Sequence, residues 1–300
     1  MSVAPDPQAA LRGFAKTSDF FVGIDSDGCV FDTMEVKHKE CFIPNIIRYF
    51  GLAAVSKYAR EAAEFVNLYS KHRGINRFPA LTETLDLLER RPEVSRRGVT
   101  LPRLQGLRGW IGRESKLGNP VLRAEVERTG DADLALCLEW SEAVNRTVEQ
   151  IVRDVPPFPM VRESLDALKG RADVMVVSAT PTEALTREWV EHGIDGHVGL
   201  IAGQELGSKK EHLGIAAVDR YERHRILMVG DAPGDRKAAE ANGVLFYPIN
   251  PGDEDRSWQR FHDEALPRFF EGSYEGEYMA SRIAEFEALL PEHPPWTSAP

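Results

Sequence analysis

A chain of 300 residues with 42% hydrophobic content can bury a full core and divide into two domains. A formal net charge of −10 and a pI near 5.4 argue against a sequence-independent grip on nucleic acid phosphates, and no apolar run is long enough to span a bilayer. Cys29, Cys41 and Cys137 are odd in number, widely spaced and form no Cys-x-x-Cys pair, so neither a disulfide framework nor a zinc site is indicated and a reducing cytoplasm is the default.

Residues 1–19 begin polar and proline-containing, without the cationic start and apolar centre of a secretory signal. The run Phe20-Phe21-Val22-Gly23-Ile24 then reads as a strand that ends in Asp25-Ser26-Asp27-Gly28. Side chains at i and i+2 of an extended segment share a face, so Asp25 and Asp27 can point at one spot. Two carboxylates so close repel unless a cation or a shared proton relieves them, which points to a divalent metal or to divided acid and base roles; the competing reading is an aspartate turn. Asp32 and Thr33 follow, where Asp32 either contacts a substrate or caps the next helix.

Residues 34–157 change character. Tyr58, Ala62, Phe65, Val66 and Tyr69 recur at helical spacing, as do Leu81, Leu85 and Leu88, and Leu134, Leu138, Val144, Val148 and Ile151, predicting five or six helices. Between them, Lys71 to Phe78 concentrates cations around Gly74, so Arg73 and Arg77 are candidates to meet a substrate anion, against the plain reading of a basic interhelical loop. Pro156-Pro157-Phe158-Pro159 closes the block as a stiff boundary.

Strands are predicted again at 172–178, about 198–202, 225–230 and 243–249, with helical patterns between them, so the sheet should be parallel with crossover helices. The second strand ends in Ser178, followed by Ala179 and Thr180; Gly207-Ser208-Lys209-Lys210 comes next, and the fourth strand ends in Gly230-Asp231, with Asp235 four residues on. Residues 251–300 are acidic, aromatic between Trp258 and Tyr278, and proline-containing at the end. They are expected to pack as helices on the core, with loose final residues.

In order and in the strands they follow, these four segments resemble the motifs of the haloacid dehalogenase-like (HAD) superfamily of hydrolases, most of whose members are Mg²⁺-dependent phosphatases. The resemblance implies an α/β Rossmann-like core at 1–33 and 158–250, an α-helical cap at 34–157 that closes over the site and chooses the substrate, and a C-terminal extension at 251–300. It implies Asp25 as nucleophile, Asp27 as general acid and base, Ser178 and Lys209 on the phosphoryl group, and Asp25, Asp231, Asp235 and the Asp27 carbonyl around Mg²⁺. Lys210 rivals Lys209. Gly28 would let the chain pass close to the phosphate, which the Ala179 and Thr180 N–H groups could also contact.

The expected reaction is hydrolysis of a small phosphorylated metabolite through an aspartyl-phosphate, with no nucleic acid or membrane partner and no protein partner specified. A phosphomutase resembling β-phosphoglucomutase uses the same core motifs and stays open as an alternative. A dehalogenase lacks the acid/base aspartate two residues after the nucleophile, and Asp27 also departs from the usual phosphonatase motif, so both rank lower. A non-catalytic binding or regulatory protein on the same fold ranks below the phosphatase, because the apparent set of reactive residues is complete.

Overall fold

The computed structural model describes residues 6–297. Its five strands are β1 (Phe20–Ile24), β2 (Ala172–Val177), β3 (Leu200–Ala202), β4 (Ile226–Gly230) and β5 (Leu245–Pro248), all parallel, in the order β3-β2-β1-β4-β5. They coincide with the five apolar runs because a parallel sheet covered on both faces selects continuous apolar strands over alternating ones. Val22, Ile24, Val174, Val176, Leu227 and Val229 share one core cluster, with Trp189, Trp258 and Phe261 packed into it.

Chain contacts divide the described residues into two units, 6–33 with 154–289 and 34–153 with 290–297. The first holds the sheet; the helices Val161–Leu168, Thr182–Glu191 and Pro233–Asn242 alternate with its strands. The helices Glu254–Arg260, Leu266–Glu271 and Glu277–Leu289 follow β5 in the same unit. Trp258 Nε1 donates to the Cys29 carbonyl at 2.7 Å, Tyr274 Oη to the Phe246 carbonyl at 2.7 Å, and Arg260 pairs with Glu285 at 2.9 Å.

The second unit contains the helices Ser56–Leu68, Arg77–Glu89, Gln105–Arg113, Asn119–Thr129 and Ala132–Ile151; the 3.6-residue spacing marks the first, second and last of these. Its core is built around Phe78, Trp110 and Trp140; the Phe78 and Trp110 rings meet edge to face at 5.3 Å.

Two boundaries differ from the sequence expectation. The proline segment belongs to the sheet unit, because Phe158 N–H donates to the Val30 carbonyl at 2.9 Å and Phe31 bridges Pro157, so the crossing falls at residues 153 and 154. Residues 251–300 do not all pack on the core. Residues 290–297 join the helical unit, where Lys71 N–H donates to the Pro291 carbonyl and Trp296 lies 3.9 Å from the buried Arg91 guanidinium and 5.8 Å from the Phe65 ring. Arg91 also pairs with Glu61 at 2.6 Å, so an apolar aromatic face completes the burial of an already paired cation. The expectation of loose terminal residues concerns 298–300, which lie outside the described residues.

Candidate functional site

Register brings the motif residues together. Ile24 pairs with Val176 on one side and Val229 on the other, so Asp25 leaves β1 within a residue of the level at which Ser178 leaves β2 and Asp231 leaves β4. Strand order reverses direction at β1, and the carboxyl edge at such a reversal is where open α/β sheets form a ligand crevice.

The turn after β1 is tight. The N–H groups of Cys29, Val30 and Phe31 converge on the Ser26 carbonyl, Gly28 N–H returns to the Phe31 carbonyl at 2.8 Å, and Gly28 has φ of 75°, a conformation that a side chain would strain. Trp189 Nε1 donates to Ser26 Oγ at 3.0 Å from within the core, holding the residue between the two aspartates.

Asp25 is 5% exposed, Asp231 1% and Asp235 0%, and one oxygen of each lies within 4.8 Å of the others. Lys209 Nζ donates to Asp25 Oδ2 at 2.5 Å and to Asp235 Oδ1 at 2.6 Å. Burial opposes the lysine charge, but Asp235 and Asp25 outweigh it and hold the Lys209 pKa above its ordinary value. For Asp235, burial pushes the pKa up to about 7; Lys209 works against that, while Asp25 and Asp231 add to it. Three buried carboxylates within reach of one another repel, and an all-oxygen donor set of that kind fits a hard divalent cation such as Mg²⁺.

Local sequence explains these placements. Ser208 caps the helix Lys209–Leu213, its Oγ accepting from Glu211 N–H while Glu211 Oε2 accepts from Ser208 N–H at 2.8 Å, which fixes Lys209 as the first helical residue. Lys210, the rival, is exposed. Pro233 opens the helix Pro233–Asn242, and Asp235 Oδ2 accepts from Ala232 N–H at 3.0 Å. A Cβ at Gly230 would meet Asp235 Cγ at 2.4 Å, so the Asp235 carboxylate needs a glycine there.

Ser178 is buried at the end of β2, its N–H bonded to the Ala202 carbonyl at 3.0 Å. Ala179 is exposed and Thr180 half-buried; Thr180 N–H points at Ser178 Oγ, at 3.3 Å. Asp27 is half-buried, with Oδ2 accepting from Thr180 Oγ1 at 2.6 Å and Oδ1 accepting from Thr33 Oγ1. Neither side-chain contact is foreseen from sequence: Thr180 stands there only for its N–H, and Thr33 carries no assigned role. Asp32 is exposed.

Arg73 and Arg77 belong to the helical unit. Arg73 is 3% exposed and donates to the Leu68 carbonyl at 3.0 Å, an inward structural contact at odds with a basic loop open to an anion. Arg77 Nη1 donates to the Ser141 carbonyl, to Ser141 Oγ at 2.9 Å and to Asn145 Oδ1 at 2.7 Å, with its guanidinium over the Phe42 ring. These partners are neutral, and burial pushes the Arg77 pKa down to about 10. The three cysteines are free and buried; burial, with the Asp231, Asp25 and Asp235 charges, raises the Cys29 thiol pKa well above its ordinary value, which removes it as a nucleophile. Among the described residues no helix is long and apolar enough to cross a membrane.

No family model and no curated protein matches the sequence. Solved structures do. A HAD-superfamily hydrolase of subfamily IA, variant 1, from Geobacter sulfurreducens PCA is 18% identical with a TM-score of 0.39, over 78% of this chain and 89% of that one. A predicted phosphoglycolate phosphatase from Haemophilus somnus 129PT is 15% identical with a TM-score of 0.43, over 78% and 86%. A haloacid dehalogenase-like family hydrolase from Xanthomonas campestris is 11% identical with a TM-score of 0.45, over 87% and 97%. The likenesses are distant, and the side chains at the sheet edge carry the functional reading instead.

Proposed function

We propose that the chain is a Mg²⁺-dependent phosphomonoester hydrolase of the HAD type, acting on a small phosphorylated metabolite through an aspartyl-phosphate. The observation that carries the reading is the Lys209 ammonium bridging Asp25 and Asp235 beside Asp231 at the carboxyl edge of the sheet. A lone aspartate at a turn needs no such surroundings, whereas phosphoryl transfer rests on positioning and on neutralising spread negative charge.

In this reading an Asp25 oxygen attacks phosphorus, and the bond from phosphorus to the ester oxygen breaks. Asp27 gives its proton to the departing alcohol, then takes one from the water that attacks phosphorus, releasing phosphate and regenerating the Asp25 carboxylate. The Ser178 hydroxyl and the Ala179 N–H donate to phosphoryl oxygens, and Lys209 offsets their charge. Asp25, Asp231 and Asp235, with the Asp27 main-chain carbonyl, would hold Mg²⁺, which supplies further neutralisation when bound.

Phosphate release from a panel of phosphorylated metabolites, with and without Mg²⁺, tests the proposal, with Asp25→Asn as the matched control. Metal-dependent release by the wild type and none by the variant is expected. Equal release by both, or silence of a folded, metal-bound wild type across the panel, refutes the reading.

A further inference from the structure

We propose that Thr180, together with Thr33, is a positioning residue for Asp27, holding its carboxylate in one rotamer from two separate segments of chain. The two hydroxyls take opposite oxygens: Thr180 Oγ1 donates to Oδ2 at 2.6 Å, and Thr33 Oγ1 donates to Oδ1. Thr33 follows the turn on the same chain segment, whereas Thr180 reaches across from the loop after β2, 153 residues away. Turning the Asp27 side chain about either of its torsions pulls at least one oxygen off its donor. Two hydroxyl bonds to a carboxylate are charge-assisted, which makes the held rotamer the low-energy one.

The anchors are themselves fixed. Thr33 is 1% exposed. Thr180 offers its N–H to Ser178 Oγ and its carbonyl to Gln204 N–H at 3.1 Å. The loop cannot shift away cheaply, because Gly203 packs so tightly on it that an added Cβ would lie 2.6 Å from the Thr180 carbonyl and 2.4 Å from the Thr182 nitrogen. One threonine therefore ties the acid/base aspartate to the serine at the end of β2. An acid or base displaced by about 1 Å can lose on the order of 100-fold in rate, which gives rigid seating a kinetic consequence.

This inference rests on the phosphatase reading for its kinetic consequence and on geometry alone for the seating, so two measurements separate them. The first follows p-nitrophenyl phosphate and the full chain with Mg²⁺ in a stopped-flow instrument. Nitrophenolate leaves without a proton, so misplacing Asp27 spares the first step and slows hydrolysis of the aspartyl-phosphate. For Thr180→Val the expectation is a burst of about one nitrophenolate per enzyme and a steady rate lower by about 10- to 100-fold, while Thr180→Ser behaves as wild type.

Thr180→Val indistinguishable from wild type overturns the proposal. So does a loss without a burst that Thr180→Ser fails to rescue, because that is the signature of a general structural defect. The second measurement is a crystal structure of Thr180→Val. An Asp27 side chain in its original rotamer overturns the seating, and a displaced or multiple one supports it, even if the wild type proves inactive and the phosphatase reading falls.

Discussion

Asp235→Asn in the metal-free protein tests the electrostatics of the site without any substrate. The Asp235 carboxyl goes from 3.8 in the unfolded chain to about 7 in the folded one, chiefly through burial. A carboxylate whose folded pKa is raised binds its proton more tightly in the native state, so stability is lost as pH climbs from about 4 to about 7 and stays low above. The span is roughly three units, an upper bound of about 4 kcal/mol shared with Asp25 and Lys209. Asparagine removes the buried charge and can still accept from Ala232 N–H through its carbonyl, while Lys209 keeps Asp25. Loss of the Lys209 pairing takes back part of the gain, leaving an expected net stabilisation of about 1–2 kcal/mol near pH 8 in EDTA that shrinks toward pH 4.

Urea denaturation across that pH range measures it. Adding Mg²⁺ should reverse the order, because ligand at about 100 times its dissociation constant adds about 2.7 kcal/mol to the protein that binds it and less to the variant. If Asp235→Asn is equally destabilised at every pH in EDTA, Asp235 acts as a helix-end anchor and the raised pKa is refuted.

Three further outcomes are expected. Gly230→Ala forces a methyl group against the Asp235 carboxyl and should cost about 3 kcal/mol by denaturant titration together with Mg²⁺ affinity measured by calorimetry; near-wild-type values for both would show that Asp235 is not confined. His212 is fully buried, with burial and then Lys209 pushing its pKa down to about 4 from 6.5, so it contributes up to about 3 kcal/mol above pH 6.5 that is lost as pH falls toward 4; His212→Gln should flatten that limb of the stability profile. Trp296→Ala removes the face over Arg91 and should lower stability by about 2 kcal/mol, with no change attributable to the sheet unit in hydrogen exchange.

What was legible in the sequence follows from how strongly each feature is written locally. Strands buried on both faces appear as unbroken apolar runs, so all five were readable, though β3 emerges as only Leu200–Ala202. Asp25, Asp231 and Asp235 meet because each stands just past the end of an apolar run, and those ends are readable in the chain. Lys209 and Lys210 could not be told apart by composition; the Ser208 and Glu211 capping pair, itself visible in the sequence, separates them. The Thr180 and Thr33 hydroxyls were out of reach, because their meeting at Asp27 depends on loop paths that no periodicity encodes. For Arg73 the chain offers two readings, an anion contact or a basic interhelical loop, and the bond from its guanidinium to the Leu68 carbonyl is announced by neither.

The chain passes between its two units three times, after residues 33, 153 and 289. The helical unit is thus not a self-contained insertion that could be lifted out with its two flanking joints. A fragment of 34–153 would leave behind Pro291, Glu292 and Trp296, and with them the cover over Arg91 and Phe65. Swapping this unit into another scaffold therefore requires transplanting two stretches of sequence, and a fusion joined after residue 289 would disturb the helical unit before the sheet.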